Sequence, residues 1–376
     1  MASSKDRVEG DVYAASGVDY GVMDPGKRQA LAAASRTGSA LVGRGFHEVV
    51  SSRGESAYVV DMGDHYLSMV NEGLGTKNGV ADAVRPITGR SHYDEVARDV
   101  VAAILNDLAT VGGYPISLSA FWSAGSSEWF SDASRMQDLV TGWAAACTEA
   151  GVSWGGGETQ TLTGLVAPNT IVLAGSAVGM IRPRGRLLLG DQVEPGDAIL
   201  LAPSVGIHAN GLTLARKVAE GLPKGYATQV PGDPRGRGFG EVLLDPAPLY
   251  GPLIEALQDA HVPLHYAAHV TGHGWRKLMR AHRELTYVVD ALPEVPPVLS
   301  FLAKTAKLSD ADAYGTFNMG AGFALYLPQA RVDAAIAAAA AAKFTLLRAG
   351  TVEAGPKRVV LRPINVTFEG ETLKIR

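Results

Sequence analysis

The sequence predicts an α+β fold in two domains. Three observations carry this: segments of strand-like and helix-like periodicity mix without a regular βα alternation, no internal repeat recurs at a fixed short period, and 376 residues (39.3 kDa) exceed the size at which one hydrophobic core stops growing. Hydrophobic residues make up 47% and charged residues 19%, so a sizeable core is available. A net charge of −4 without a long basic run argues against a nucleic-acid surface, which needs lysine and arginine to neutralise phosphates. Small-molecule partners fit better. The single cysteine, Cys147, excludes an internal disulfide and a cysteine-rich zinc site, in keeping with a reducing compartment. The amino terminus, MASSKDRVEGD, has no apolar h-region, and no run approaches the ~18 apolar residues of a membrane span, so a cytoplasmic protein is expected.

In chain order, residues 1–45 read as an arm over the first domain, with a polar and small-residue segment at 13–19, then Pro25 and Gly26, then a helix over 27–34. Residues 57–62 and 66–70 are short, apolar and partly alternating about Gly63-Asp64, which predicts a hairpin. Its second strand leads into Asn71-Glu72-Gly73-Leu74-Gly75-Thr76-Lys77. Two glycines permit positive φ and close backbone approach, and the lysine supplies a point charge, so the bend suits a polyphosphate. The order GxGTK differs from the common phosphate loop, and a glycine turn at a strand end is more often structural. A helix is predicted from Ser91: Ser91 to Asp94 have capping-box spacing, and Val96, Val100, Ile104, Leu108 and Val111 form its buried stripe. Asp99 and Asn106 stand seven residues apart, about 20° from alignment, with Asp107 beside them, so they share one side of that helix. Solvent is the commoner fate of such groups.

Met136, Val140, Trp143 and Cys147 mark a second amphipathic helix ended by Gly151, with Cys147 a small buried hydrophobe on its stripe. The following Trp154-Gly155-Gly156-Gly157-Glu158-Thr159 is a glycine-rich turn whose carboxylate, directed inward, suits magnesium or a substrate amine. A buried strand is predicted over 171–180. Arg182-Pro183-Arg184-Gly185 then breaks the pattern, dividing a first domain, 46–182, from a second, 183–376. After a strand over 198–202, His208-Ala209-Asn210-Gly211 precedes a helix; amides there suit a phosphate, and Asn-Gly equally suits a helix cap. His261, His265, His269 and His273 recur every four residues, yet Pro263, Gly272 and Gly274 exclude the continuous helix a metal site on that spacing needs. What remains is His269-Val270-Thr271-Gly272-His273-Gly274, a glycine turn with imidazole and hydroxyl groups. A strand over 323–327, an alanine-rich helix over 332–343 and strands over 346–352 and 359–361 complete the chain.

Six loops in order, NEGLGTK (71–77), NDL (106–108), GGET (156–159), HANG (208–211), HVTGHG (269–274) and TFNMGAG (316–322), resemble aminoimidazole ribonucleotide synthetase, also called phosphoribosylformylglycinamidine cyclo-ligase. The likeness begins at residues 13–19 and runs nearly to the carboxyl end. It implies a two-domain α+β fold in which the N-terminal domains of two subunits join their strands into a barrel, with ATP bound near that interface. The implied reaction phosphorylates the formyl amide oxygen of formylglycinamidine ribonucleotide; the amidine nitrogen then closes the imidazole ring and phosphate leaves. Carried over residue by residue, Lys77 and the backbone of Gly73, Gly75 and Thr76 hold ATP phosphates, and Glu72, Asp107 and Asp99 bind Mg2+ with Asn106 steadying them. Glu158 contacts metal or substrate, Asn210 and Gly211 contact substrate, His269 transfers a proton and Thr271 orients the substrate.

Three departures stand out. Glu72 replaces the family's usual aspartate, His273 interrupts a usual run of three glycines, and Gln160-Thr161-Leu162-Thr163 follows GGET in place of the common Ala-Glu-Met-Pro. Together they fit a paralogue with a changed acceptor. The alternatives are therefore phosphorylation of another small molecule, or nucleotide binding without catalysis.

Overall fold

The computed structural model describes residues 20–373. The 13–19 segment that begins the resemblance lies outside them. Two mixed sheets dominate, as an α+β chain requires. The first is six-stranded, ordered β1-β2-β3-β6-β4-β5, from β1 (His47–Glu48), β2 (Tyr58–Asp61), β3 (Tyr66–Gly73), β4 (Tyr114–Ala124), β5 (Ser153–Thr161) and β6 (Ile171–Ile181). All its pairings are antiparallel except β4 with β5. Helix α1 (Tyr20–Ser35) and the single turn α2 (Ser39–Val42) precede the sheet, so the helix expected at 27–34 starts earlier.

The predicted hairpin is present, with Tyr58 opposite Met69 and Asp61 opposite Tyr66. Its second strand runs through Gly73, so Asn71 and Glu72 belong to a paired strand and only 74–76 form the bend. Helix α3 (Lys77–Thr88) follows directly, in spite of an internal Gly79 and Pro86. Helix α4 (Tyr93–Ala109) buries the stripe read from its periodicity. Its start differs from the capping box expected at Ser91: His92, at φ 60°, holds the cap position, and Ser91 Oγ turns instead to the Asp138 carboxylate. Helix α5 (Ala133–Glu149) packs beside α4, with Leu139, Trp143, Ala146 and Cys147 inward; Val140 is left exposed, a rotation of the predicted stripe. Residues 154–159, read as a turn, are strand. Their pairing with Leu118 to Trp122 makes them so; that neighbour, which alternates over Ile116 to Ala120, is a strand the sequence reading omits.

Odd-numbered residues of β6, such as Ile171, Leu173 and Ala177, face the α4–α5 layer. The even face is open and apolar. Met69, Ile116, Phe121, Val172 and Val178 there are each 37–44% exposed.

The second sheet is seven-stranded, ordered β13-β12-β9-β11-β7-β10-β8. Between the sheets and along the second one come β7 (Asp197–Pro203), α6 (Leu212–Gly221), α7 (Phe239–Leu243), α8 (Gly251–Asp259), β8 (Tyr266–His269), β9 (Leu285–Val289), α9 (Pro297–Thr305), α10 (Asp310–Thr316), β10 (Ala321–Pro328), α11 (Val332–Ala341), β11 (Leu347–Ala354), β12 (Arg358–Leu361) and β13 (Val366–Glu369). The alanine-rich α11 packs with α8 against β7 and β10 around Leu253, Phe323 and Ala335. A larger core continues from α4 and the first sheet into Trp275, Phe317 and Tyr326 of the second half. No helix among the described residues is long and apolar enough to cross a membrane.

Candidate active site

Strand β3, helix α4, the loop after β7 and the end of β8 meet at one cavity. Glu72 and Gly73 come from the first, Asp99, Ala103, Asn106 and Asp107 from the second, His208, Ala209 and Asn210 from the third, and His269 and Thr271 from the fourth, with Ala247 closing one side. Spacings of four, three and one residues put the α4 groups on adjoining positions of one helix surface. The cavity holds about 30 Å³ of water-sized space, room for roughly two waters. This is a closed arrangement.

The polar surface of α4 is therefore not solvated, and the physical reason lies in the second half of the chain. Asp99 and Asn106 are both 0% exposed. Asp99 Oδ1 accepts from the Ala247 N–H at 2.8 Å, while Asn106 donates through Nδ2 to Pro248 O (2.9 Å) and accepts from the Tyr250 N–H (2.7 Å). Both satisfy an irregular backbone segment that has no ladder of its own. Asn106 thus fixes this segment, which differs from the expected role beside ATP.

Lys77 is the larger correction. Expected to offer its charge to phosphate, it is 0% exposed and forms an ion pair with Asp99, and its Nζ also donates to His208 O (3.3 Å) and Asp245 O (3.0 Å). These contacts engage the ammonium within the protein. The same pair removes Asp99 from the expected magnesium set. Burial raises the Asp99 pKa and the Lys77 ammonium opposes that rise.

Glu72 and Asp107 remain together. The Glu72 carboxyl is pushed up to about 7, first by desolvation at the cleft and next by the Asp107 charge, although the residue is solvent-exposed, which weakens the first cause. Asp107 behaves oppositely. Burial opposes its charge, but the hydrogen bond from His269 and the attraction of His269, Lys277 and Arg280 hold it below the usual carboxylate range. Two crowded carboxylates at one cavity fit a hard cation, and Mg2+ in particular takes one or two carboxylates and completes its shell with water and phosphate oxygens. Among the described residues no group of three His, Cys, Asp or Glu side chains forms a full protein cage.

His269 is 5% exposed, and its Nδ1 stands 2.8 Å from Asp107 Oδ1. A carboxylate bound to one ring nitrogen fixes the ring and leaves the other nitrogen for proton transfer. Asn210 and Thr271 line the cavity. Gly211, expected to touch substrate, instead serves the turn: φ is 86°, and a Cβ there would come within 2.3 Å of the Phe317 ring. Gly75, Thr76 and Glu158 are not among the cavity walls. Gly75 sits in the bend at φ 77°, and Thr76 caps α3 with a buried hydroxyl that finds no partner among the described residues. Exposed Glu158 shares a row with Phe121, Ala174 and Gly73, so three strand spacings, roughly 14 Å, separate it from the β3 end of the site.

Sequence reasoning missed Lys277 and His208. Lys277 is buried in the turn after the His269 loop; desolvation and Arg280 push its amine down to about 7, with Asp107 and Glu72 pulling the other way. Nothing in its sequence surroundings marks it. His208 stood in plain sight within HANG, where the asparagine and glycine drew the reading.

Comparison with known proteins gives the family. The chain matches the family model described as AIR synthase related protein, N-terminal domain, over residues 54–181, and the corresponding C-terminal domain over residues 194–362. The phosphoribosylformylglycinamidine cyclo-ligase of Methanocaldococcus jannaschii is 31% identical over 274 residues, 73% of this chain and 74% of the relative. That of Methanothermobacter thermautotrophicus is 30% identical over 325 residues, 86% and 90% of the two chains. Among solved structures, the hydrogenase maturation protein HypE in complex with ATP aligns with a TM-score of 0.58 at 20% identity, over 82% of this chain and 87% of that one. Thiamine monophosphate kinase from Aquifex aeolicus aligns at 0.54 and 14% identity, over 80% and 90%. At these identities the two structures share the fold.

Proposed function

The chain belongs to the AIR synthase related family, and from that premise we propose that it is an ATP-dependent cyclo-ligase, closing formylglycinamidine ribonucleotide to aminoimidazole ribonucleotide with release of ADP and phosphate. One observation carries the reading: Glu72, Asp107, Asn210, His269 and Thr271, from four separate stretches of chain, line a single cavity. An amide oxygen is a poor leaving group, so the reaction needs a phosphoryl transfer followed by an attack held in position.

In this reading the amides at the start of α3, with Gly73, Gly75 and the unpartnered Thr76 hydroxyl, receive the ATP phosphates at a helix N-terminus. Glu72 and Asp107 hold Mg2+, which when bound neutralises charge on the transferring phosphoryl group. His269, its ring fixed by Asp107, takes the proton from the attacking nitrogen, and Asn210 and Thr271 orient the substrate. Lys77 acts at one remove, bracing the wall that carries His208. The small volume implies that the walls part on binding, with most of the nucleotide outside them. Residues 46–182 and 183–376 serve as two domains beneath an arm, 1–45, in a cytoplasmic homodimer paired through the open apolar face of the first sheet.

The test is an assay with magnesium, ATP and formylglycinamidine ribonucleotide. One ADP should form per aminoimidazole product, and Asp107→Asn should lower kcat by at least about 10²-fold, through lost proton transfer and metal binding. ATP binding with no product above a no-enzyme control would reject the cyclo-ligase and leave a nucleotide-binding paralogue. A second reading, phosphorylation of another small acceptor, is favoured by the buried amine of Lys277, which desolvation and the Arg280 charge push down to about 7. ADP formation with other acceptors but not with this ribonucleotide would select it.

A further inference from the structure

His208 lines the cavity beside Asn210 and is 4% exposed. Its Nε2 accepts from the Val205 N–H at 3.4 Å, which leaves the ring proton on Nδ1, and that Nδ1 is buried without a hydrogen-bond partner among the described residues. Buried donors are almost always paired, so an orphan in a cavity wall points to an acceptor brought by a ligand. The backbone at His208 is left-handed, with φ 58°. Several bonds hold the loop. Lys77 Nζ donates to the His208 carbonyl, Ser204 Oγ donates to Asn318 Oδ1 at 2.7 Å, and Asn318 Nδ2 donates to Gly206 O at 2.8 Å.

Resting on the cyclo-ligase reading, we propose that His208 is a catalytic residue that donates its Nδ1–H to the substrate carbonyl oxygen receiving the phosphoryl group. The ring is a neutral donor, because burial first, then the nearby His269 and Lys77, disfavour its protonated form. A neutral N–H holds the carbonyl oxygen through one lone pair and leaves the other free, whereas an imidazolium, a far stronger acid, would tend to pass its proton to that oxygen and quench its attack. In the transfer, this lone pair attacks the γ-phosphorus of ATP: the new O–P bond forms, the bridging bond to the β-phosphate breaks, and ADP leaves with the electron pair. The amidine nitrogen then attacks the carbon, the C–O bond breaks with phosphate, and the nitrogen's proton passes to His269.

Two variants suit the left-handed backbone. His208→Asn keeps an N–H donor at the same bond distance from Cβ, and His208→Gly removes it. His208→Gly should lower kcat by about 10²–10³-fold, the usual effect of deleting one such donor, with the KM for ATP within about threefold, while His208→Asn recovers activity to within about tenfold of wild type. Equal loss in both variants would indicate a structural role and overturn the proposal while leaving the cyclo-ligase intact; so would full activity in the glycine variant. Absence of any wild-type product would overturn both. Independently of turnover, ¹⁵N-histidine spectra of the wild-type protein with formylglycinamidine ribonucleotide and a non-hydrolysable ATP analogue should move the His208 Nδ1–H resonance downfield with one ring proton retained. No movement, or a doubly protonated ring, would rule the donor role out.

Discussion

At the scale of the residue, Glu72 carries the clearest consequence. Its carboxyl is raised from an ordinary 4.5 to about 7, so between those values the folded protein keeps a proton that the unfolded chain has released. Metal-free protein should therefore lose stability as pH rises from about 5 to 7. Glu72→Gln should flatten that loss. Urea-unfolding midpoints across this range check it, and identical slopes in both proteins would place the effect elsewhere. That Glu72, Asp107, Asn210, His269 and Thr271 would meet at one site follows from the family resemblance carried over residue by residue, since local pattern alone leaves the helix carboxylate to solvent and the glycine loops to turns. Lys77 was misjudged. Its type and its glycines suggest phosphate, but its partners Asp99, His208 and Asp245 lie 22, 131 and 168 residues away.

At the scale of the element, α4 is the hinge of the structure. Its apolar stripe was readable from period alone, yet its polar surface found a backbone segment, 245–250, that no local pattern joins to it. The Lys77–Asp99 pair fastens α3 to α4 and both to the second half. Lys77→Met should cost about 3–5 kcal/mol, since it leaves a buried carboxylate without its cation, and Lys77→Met/Asp99→Asn should regain much of that. Chemical denaturation of the two variants decides it; a double variant as unstable as the single one would mean that the bonds to His208 O and Asp245 O, not the ion pair, dominate. Strands β4 and β5 teach a related lesson. Residues 155–157 offer no side-chain pattern to read, and only the adjacent β4 makes that stretch a strand.

At the scale of the whole molecule, the open face of the first sheet is where the proposed homodimer can be tested. Five large apolar side chains share it, a concentration that single exposed residues do not explain. Wild-type protein should sediment as a dimer, and Val178→Lys, placing a charge in the middle of that face, as a monomer with an unchanged circular dichroism spectrum. A wild-type monomer at tens of micromolar would refute the pairing. The α+β class, the hairpin, the inward stripe of α4 and the six loops that resemble one family were determined by sequence alone, because period, turn chemistry and motif order are local properties. Which of the loops' polar groups face a ligand was decided only by tertiary structure. A buried charge takes the partner that packing brings nearest, so Lys77 went to Asp99, Asp107 to His269, and the His208 donor was left with none.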